Sequence, residues 1–232
     1  MTYKDREFSA TQVLELACSA QRTNNDYVKE GIGVYAADGK FMGMKTSNKL
    51  LIQLTLNVVK WSGEQKDHPA LLKVTEEDKD FASEIKKYYR RLMFAAIQGE
   101  NEFQTKVNSL LESDNIKVGD FGFVACLPSV FKRDYAIHQT EKRVKSIDPG
   151  FVGLIGDNLF DKDCEVLSSK KSKNFDAHNI DAIIDNKLVS WFSKVDLKPG
   201  NCVVVKAKVK DYSEHWKHKV PLTRLNYVKA AQ

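Results

Sequence analysis

The second half of this chain is a succession of short β-forming runs cut by turn residues, and that pattern restricts the folds open to it. The runs are Phe121–Leu127, Phe151–Ile155, Cys164–Leu167, Ile180–Ile184, Leu188–Trp191, Cys202–Val209 and Leu222–Val228. Between them stand Asp148-Pro149-Gly150, Gly156-Asp157-Asn158, Asp185-Asn186 and Lys198-Pro199-Gly200. Runs of this length bounded by Gly, Pro, Asn and Asp read as antiparallel strands. Short strands in an open sheet leave unpaired edges, and closure into a small barrel removes them. The candidates outnumber the strands that a minimal barrel needs, so some of them are turns, extensions or helix.

The first half reads differently. Ser9 followed by Gln12 predicts a capped helix over 9–20, with Val13, Leu14, Leu16 and Ala17 as its apolar set. Ala-Asp-Gly-Lys predicts a tight turn between extended pieces at Ile32–Tyr35 and Phe41–Met44. Leu50, Ile52, Leu54, Leu56 and Val58 recur with period two, which predicts a strand over Leu50–Trp61, followed by a loop over 62–74. Thr75 with Asp78 predicts the cap of a helix over 76–98 that carries Phe81, Ile85, Tyr88, Tyr89, Leu92, Met93, Ala96 and Ile97 and ends at Gly99. Phe103, Val107, Leu110 and Leu111 predict a second amphipathic helix. The boundary falls near 114–119. It separates a mixed α/β region, 1–116, from a strand-rich region, 117–232, unless the whole chain is one barrel elaborated by helices inserted at 75–113.

Charge is distributed unevenly. The 232 residues carry a net +5, with 42% apolar and 29% charged side chains, an ordinary globular balance. Residues 1–116 hold 16 basic and 17 acidic side chains, and 117–232 hold 20 and 14. A surface facing a polyanion therefore belongs to the second half, if the excess lysine does more than keep the domain soluble. Cys18, Cys126, Cys164 and Cys202 are too far apart for a Cys-x-x-Cys knuckle, so buried reduced thiols are expected. Polar and acidic residues throughout 1–17 exclude a signal-peptide core there, and no apolar run approaches a membrane span. The expected setting is cytoplasmic, or the host cytoplasm for a phage protein.

Three basic clusters interleave cations with rings. The first, 131–145, places Lys132, Arg133, Lys142, Arg143 and Lys145 around Phe131 and Tyr135. The second, 168–178, places Lys170, Lys171 and Lys173 before Phe175, between two predicted strands. In the third, Val203, Val205, Ala207 and Val209 alternate with Lys206, Lys208 and Lys210. Tyr212, Trp216, Lys217 and Lys219 follow in the turn, and Arg224 and Tyr227 lie on the returning strand. Single-strand binding requires this mixture: cations for phosphates, and flat rings on which any base stacks. The alternative readings are solvated loops for the first two clusters and, for Trp216, packing over the barrel end. The expected fold is mainly β with helical elements, a small antiparallel barrel of oligonucleotide-binding (OB) type elaborated by helices.

The third cluster also carries a resemblance. Val209-Lys210, Glu214, Thr223, Leu225 and Val228-Lys229 match the closing strand–turn–strand V-K-x-H-x-E … T-x-L-x-x-V-K of many phage and plasmid replication-associated OB proteins. Tyr212 stands where those proteins have His, and Trp-Lys-His-Lys replaces a turn containing Gly. The match covers about 25 residues. The resemblance implies a single-stranded DNA-binding protein of replication, recombination or transcription.

Enzyme motifs are sparse. The chain has no Walker A loop, no Gly-x-Ser-x-Gly and no dinucleotide fingerprint. His215 and His218 have zinc-like spacing without a Cys pair, and Asp157, Asp161, Asp163 and Glu165 do not fit a calcium loop and read as a surface turn. The expectation is a non-enzyme without metal or cofactor that holds single-stranded DNA. The competing readings are an adaptor that recruits a polymerase, helicase or recombinase and, more remotely, a metal-dependent nuclease.

Overall fold

The computed structural model describes residues 5–62, 68–95 and 102–231. By compactness it divides into a unit of residues 1–134 and a unit of residues 135–232, and the division falls inside one long helix.

In the first unit, β1 (Glu7–Ser9) pairs antiparallel with β4 (Asn115–Lys117). Ser9 caps α1 (Ala10–Asn24), its hydroxyl accepting from the Gln12 N–H, and Asn25 ends it in the left-handed region. The expected hairpin is present as β2 (Ile32–Tyr35) and β3 (Phe41–Lys45), closed by Ala36 N–H to the Lys40 carbonyl. The strand expected over Leu50–Trp61 is instead α2 (Asn48–Thr55). Ser47 caps it, and Leu51, Ile52 and Leu54 are buried together, so a run dense enough to fit either period takes the helical one.

Thr75 and Asp78 form the reciprocal cap of α3 (Glu76–Ala95): the Asp78 N–H donates to Thr75 Oγ1 and the Thr75 N–H to Asp78 Oδ2. Ala82, Ile85 and Tyr89 of α3 are buried, as are Val107, Leu110 and Leu111 of α4 (Glu102–Glu112). The expected stop at Gly99, with Ala96 and Ile97, lies outside the described residues. Among the described residues no helix is long and apolar enough to cross a membrane.

The strand expected at Phe121–Leu127 is the start of α5 (Phe121–Lys145). Phe121, Val124, Ala125, Leu127 and Phe131 are buried at helical spacing, and Pro128 is accommodated inside the helix. The strand expected at Phe151–Ile155 is irregular, with only Val152 buried.

The second unit is a closed five-stranded barrel. Its strands are β5 (Asn158–Lys171), β6 (His178–Ile184), β7 (Lys187–Ser193), β8 (Gly200–Glu214) and β9 (Pro221–Ala231), in the order β5-β6-β7-β9-β8 with β8 returning to β5. All pairings are antiparallel except β7 with β9, where Val189 lies beside Thr223 and Ser190 beside Arg224. Asp185 and Asn186 make the two-residue β6–β7 turn with φ of 49° and 56°, the left-handed pair that a type I′ turn requires. Leu159, Cys164, Val166, Ile180, Ala182, Ile184, Val189, Trp191, Val204, Ala207, Val209 and Leu225 fill the interior. The fold is therefore mixed α/β, a mainly helical first unit and a second unit built on a small barrel of OB-like order.

Candidate nucleic-acid interface

In a barrel of this order, oligonucleotides lie across the face of the second and third strands, between the loop joining strands one and two and the loop joining strands four and five. Here those loops are 172–177 and 215–220. The first holds Lys173 and Phe175, and the second holds Trp216, Lys217 and Lys219. Two of the three sequence clusters thus meet at the two ends of one barrel face.

The strands between these loops supply what the sequence reading lacked. Asn179 and Asp181 of β6, Ser190 and Phe192 of β7, Arg224 and Asn226 of β9 and Lys210 of β8 line a groove of about 220 Å³ that ends at Trp216. Phe192 meets Phe175 edge-on, with ring centroids 6.1 Å apart. Phe192 carries no separate signal in the sequence because it follows Trp191 directly. Alternation sends Trp191 inward and Phe192 outward.

Further along β8 the register sets other residues side by side. Phe160 lies opposite Lys206, which lies opposite Lys229, and Asn158, Lys208 and Asn226 form the next row. Tyr227 sits at a register shift with φ of 54°, an uncommon conformation for an aromatic residue, and projects outward. Phe160 carries no signal in the sequence because the acidic residues around it, Asp157, Asp161 and Asp163, read as a surface turn, whereas β5 already begins at Asn158 and contains Asp161, Asp163 and Glu165. Phe160, Phe175, Phe192, Trp216 and Tyr227 are 57%, 65%, 63%, 75% and 79% exposed. Five large rings held this far into water are more than the core requires.

The lysine row needs one correction. Val203 and Val205 face outward, and the inward set of β8 is Cys202, Val204, Ala207 and Val209. Register shifts against β9 around Val204–Lys206 and Val209–Asp211 break the simple alternation. Lys206, Lys208 and Lys210 remain exposed and, like Lys170 and Lys173, form no ion pair among the described residues.

Other expected contacts have structural work. Arg143 donates to Glu165 at 2.8 Å and to Asn186 at 3.2 Å, fixing the end of α5 to the barrel. Lys217 bonds Glu141 at 2.8 Å, which holds the Glu141 carboxyl below its ordinary value. Arg224 is bidentate to Asp211, Lys219 lies 3.5 Å from Glu214 and Lys171 lies 3.9 Å from Asp176. Tyr212 lies in β8 rather than in the turn, stacked on Phe151 and hydrogen-bonded to Gly153.

The cluster at 131–145 is helix rather than loop. Phe131 is buried edge-on to Phe81 and Tyr88, Lys132 lies over the Phe81 ring, and Arg133 bonds Asp134. These residues belong to the first unit. Tyr135 and Lys142, in the second unit, are exposed.

His215 and His218 stack on one another at 4.7 Å, and the His218 N–H donates to His215 Nδ1. Burial and the neighbouring His215 and Lys217 lower the His218 pKa, favouring its neutral ring. Fold and surface together define the class of protein: an OB-like barrel, a scaffold suited to nucleic-acid binding in general. Comparison with protein-family models, with curated proteins and with solved structures returns no match.

Proposed function

We propose that the chain is a non-enzymatic single-stranded DNA-binding protein of replication, recombination or transcription. The observation that carries this reading is the set of exposed rings on the barrel, Phe175, Phe192, Trp216, Tyr227 and Phe160, together with Lys206, Lys208 and Lys210, which form no ion pair among the described residues. In this mechanism the lysines neutralise successive phosphates while bases stack on the rings, and no bond is made or broken. Duplex DNA keeps its base faces stacked on neighbouring pairs and offers such rings no π-face, so the strand preference comes from stacking.

The test is anisotropy of a labelled mixed-sequence DNA of about 30 nucleotides, single-stranded and then duplex, at two salt concentrations. Salt-sensitive preference for the single strand supports the proposal. No binding to either form at low salt overturns it.

One observation favours a second reading, a protein-interaction adaptor. The β2–β3 hairpin exposes Ile32, Tyr35, Phe41, Met42 and Met44, an apolar surface of the kind that partners cover. Of the apolar stripe expected on α3, Ile85 and Tyr89 are buried and Phe81 and Tyr88 half-buried, while the side chains of Leu92, Met93, Ala96 and Ile97 lie outside the described residues.

A further inference from the structure

We infer that the barrel carries a recess for one nucleobase beside Trp216, and that its chemistry selects guanine. The inference rests on the strand-binding reading above and adds base selectivity to it. The recess is a separate cavity of about 320 Å³, within the range of small-molecule sites of roughly 300–1,000 Å³. The last turns of α5 wall one side with Ile137 and Thr140, and Leu167 and Leu197 add further apolar surface. Asp181, His215 and Trp216 line both this cavity and the groove, so the two adjoin at those three residues. A base that leaves the strand path at Trp216 therefore has a place to go.

The polar groups at this junction are deeply placed. The His215 side chain is 6% exposed and that of Asp181 15%. Because His215 Nδ1 accepts the His218 N–H, the ring proton lies on Nε2, which faces Asp181 Oδ2 at 3.6 Å. That distance exceeds a hydrogen bond, so the donor is not satisfied by this neighbour. The Asp181 carboxylate accepts from Ser168 Oγ at 3.2 Å and from Asn179 Nδ2 at 3.5 Å, and a carboxylate has about four acceptor positions, so capacity remains.

The junction thus offers a carboxylate with an N–H donor beside it. Guanine alone among the four bases presents two adjacent donors, N1–H and N2–H₂, to match two carboxylate oxygens, with the O6 acceptor next in line for His215. Adenine and cytosine each set an acceptor beside their donor, and thymine flanks its single N–H with carbonyls. Placing either acceptor edge against Asp181 leaves a buried carboxylate facing a lone pair. Trp216, stacked over His215 with centroids 6.2 Å apart, supplies the exposed ring on which the base enters.

The experiment compares all-thymidine strands of about 15 nucleotides with strands carrying one central guanine, hypoxanthine or adenine, by anisotropy at fixed salt. The guanine strand is expected to bind about tenfold more tightly than the all-thymidine strand. Hypoxanthine lacks the N2 amino group and is expected to forfeit most of that gain, and adenine is expected to show none. In Asp181→Asn the guanine-to-thymidine affinity ratio should fall to about one. Ile137→Trp, a change at an exposed helix position that fills the recess, should collapse the same ratio and guards against misfolding of the first variant. Binding of all strands with equal affinity, or a guanine ratio that survives both substitutions, overturns the recess and leaves strand binding standing. Failure to bind any strand overturns strand binding and the recess with it.

Discussion

Tyr212 and Phe151 stack face to face, with ring centroids 4.1 Å apart and planes 17° from parallel, while the Tyr212 hydroxyl donates to the Gly153 carbonyl at 2.6 Å. Both the ring face and the polar tip of Tyr212 are thereby committed to holding the 151–157 segment on the barrel. Tyr212→Phe is expected to lose about 1 kcal/mol of stability from the hydrogen bond. Tyr212→Ser, which also loses the stack, is expected to lose about 2–3 kcal/mol. Urea midpoints measure both. If Tyr212→Phe leaves the midpoint in place and weakens DNA binding instead, Tyr212 is a contact residue and this assignment is wrong.

Trp216 presents the opposite case. Its ring is three-quarters exposed and lies in a turn, so Trp216→Ala should move the unfolding midpoint by no more than about 0.5 kcal/mol. Its loss as a stacking platform should cost about 1–3 kcal/mol of single-strand affinity. A matched loss of stability would place Trp216 among the packing residues.

Among the described residues no carboxylate pairs with Lys206, Lys208 or Lys210, whereas Lys217 is bonded to Glu141. Each phosphate contact to a single strand adds about 0.7 to the slope of log K against log salt. Replacing all three free lysines by Gln should therefore flatten that slope by about 2. Lys217→Gln should change it by less. Equal effects from the two sets would mean that the lysines act only through net charge.

The legible parts of this molecule are those written in local chemistry. Asp185-Asn186 can adopt the left-handed pair of a tight hairpin turn, and Thr75 with Asp78 can cap only a helix start, so both elements lie where their residues put them. The start of α5 was not legible, because Pro128 forbids one backbone hydrogen bond and argues against a helix that burial of Phe121, Val124, Leu127 and Phe131 nevertheless stabilises. The outward turn of Val203 and Val205 depends on register shifts between β8 and β9, which no periodicity in one strand reveals. For the interface, the loop residues Phe175 and Trp216 stood out in sequence by the lysines around them. Phe160 and Phe192 did not, because their exposure follows from where the strands begin and which way they face.

The first unit offers a test by acid. Asp78 is nearly buried, and burial alone would raise its pKa. Two bonds from Arg22, at 2.8 and 3.1 Å, together with those from Thr75, outweigh that effect and hold the carboxyl below its ordinary value. A carboxylate whose pKa is lower in the folded than in the unfolded chain contributes its full stability above the unfolded value, about 3.9, and loses it as pH falls through the folded value. Arg22→Met removes both bonds and leaves the buried charge with Thr75 alone. At pH 7 the expected cost is about 2 kcal/mol, less than for a fully buried pair because Arg22 is half exposed. Part of that cost is independent of pH, since Arg22 also donates to the Lys73 carbonyl at 2.9 Å. Denaturant titrations of both proteins should show a gap that is constant at neutral pH and narrows, without closing, as the pH falls into and through the carboxylate range. A gap of the same size at every pH would assign the whole effect of Arg22 to the Lys73 carbonyl and to packing, and none to Asp78.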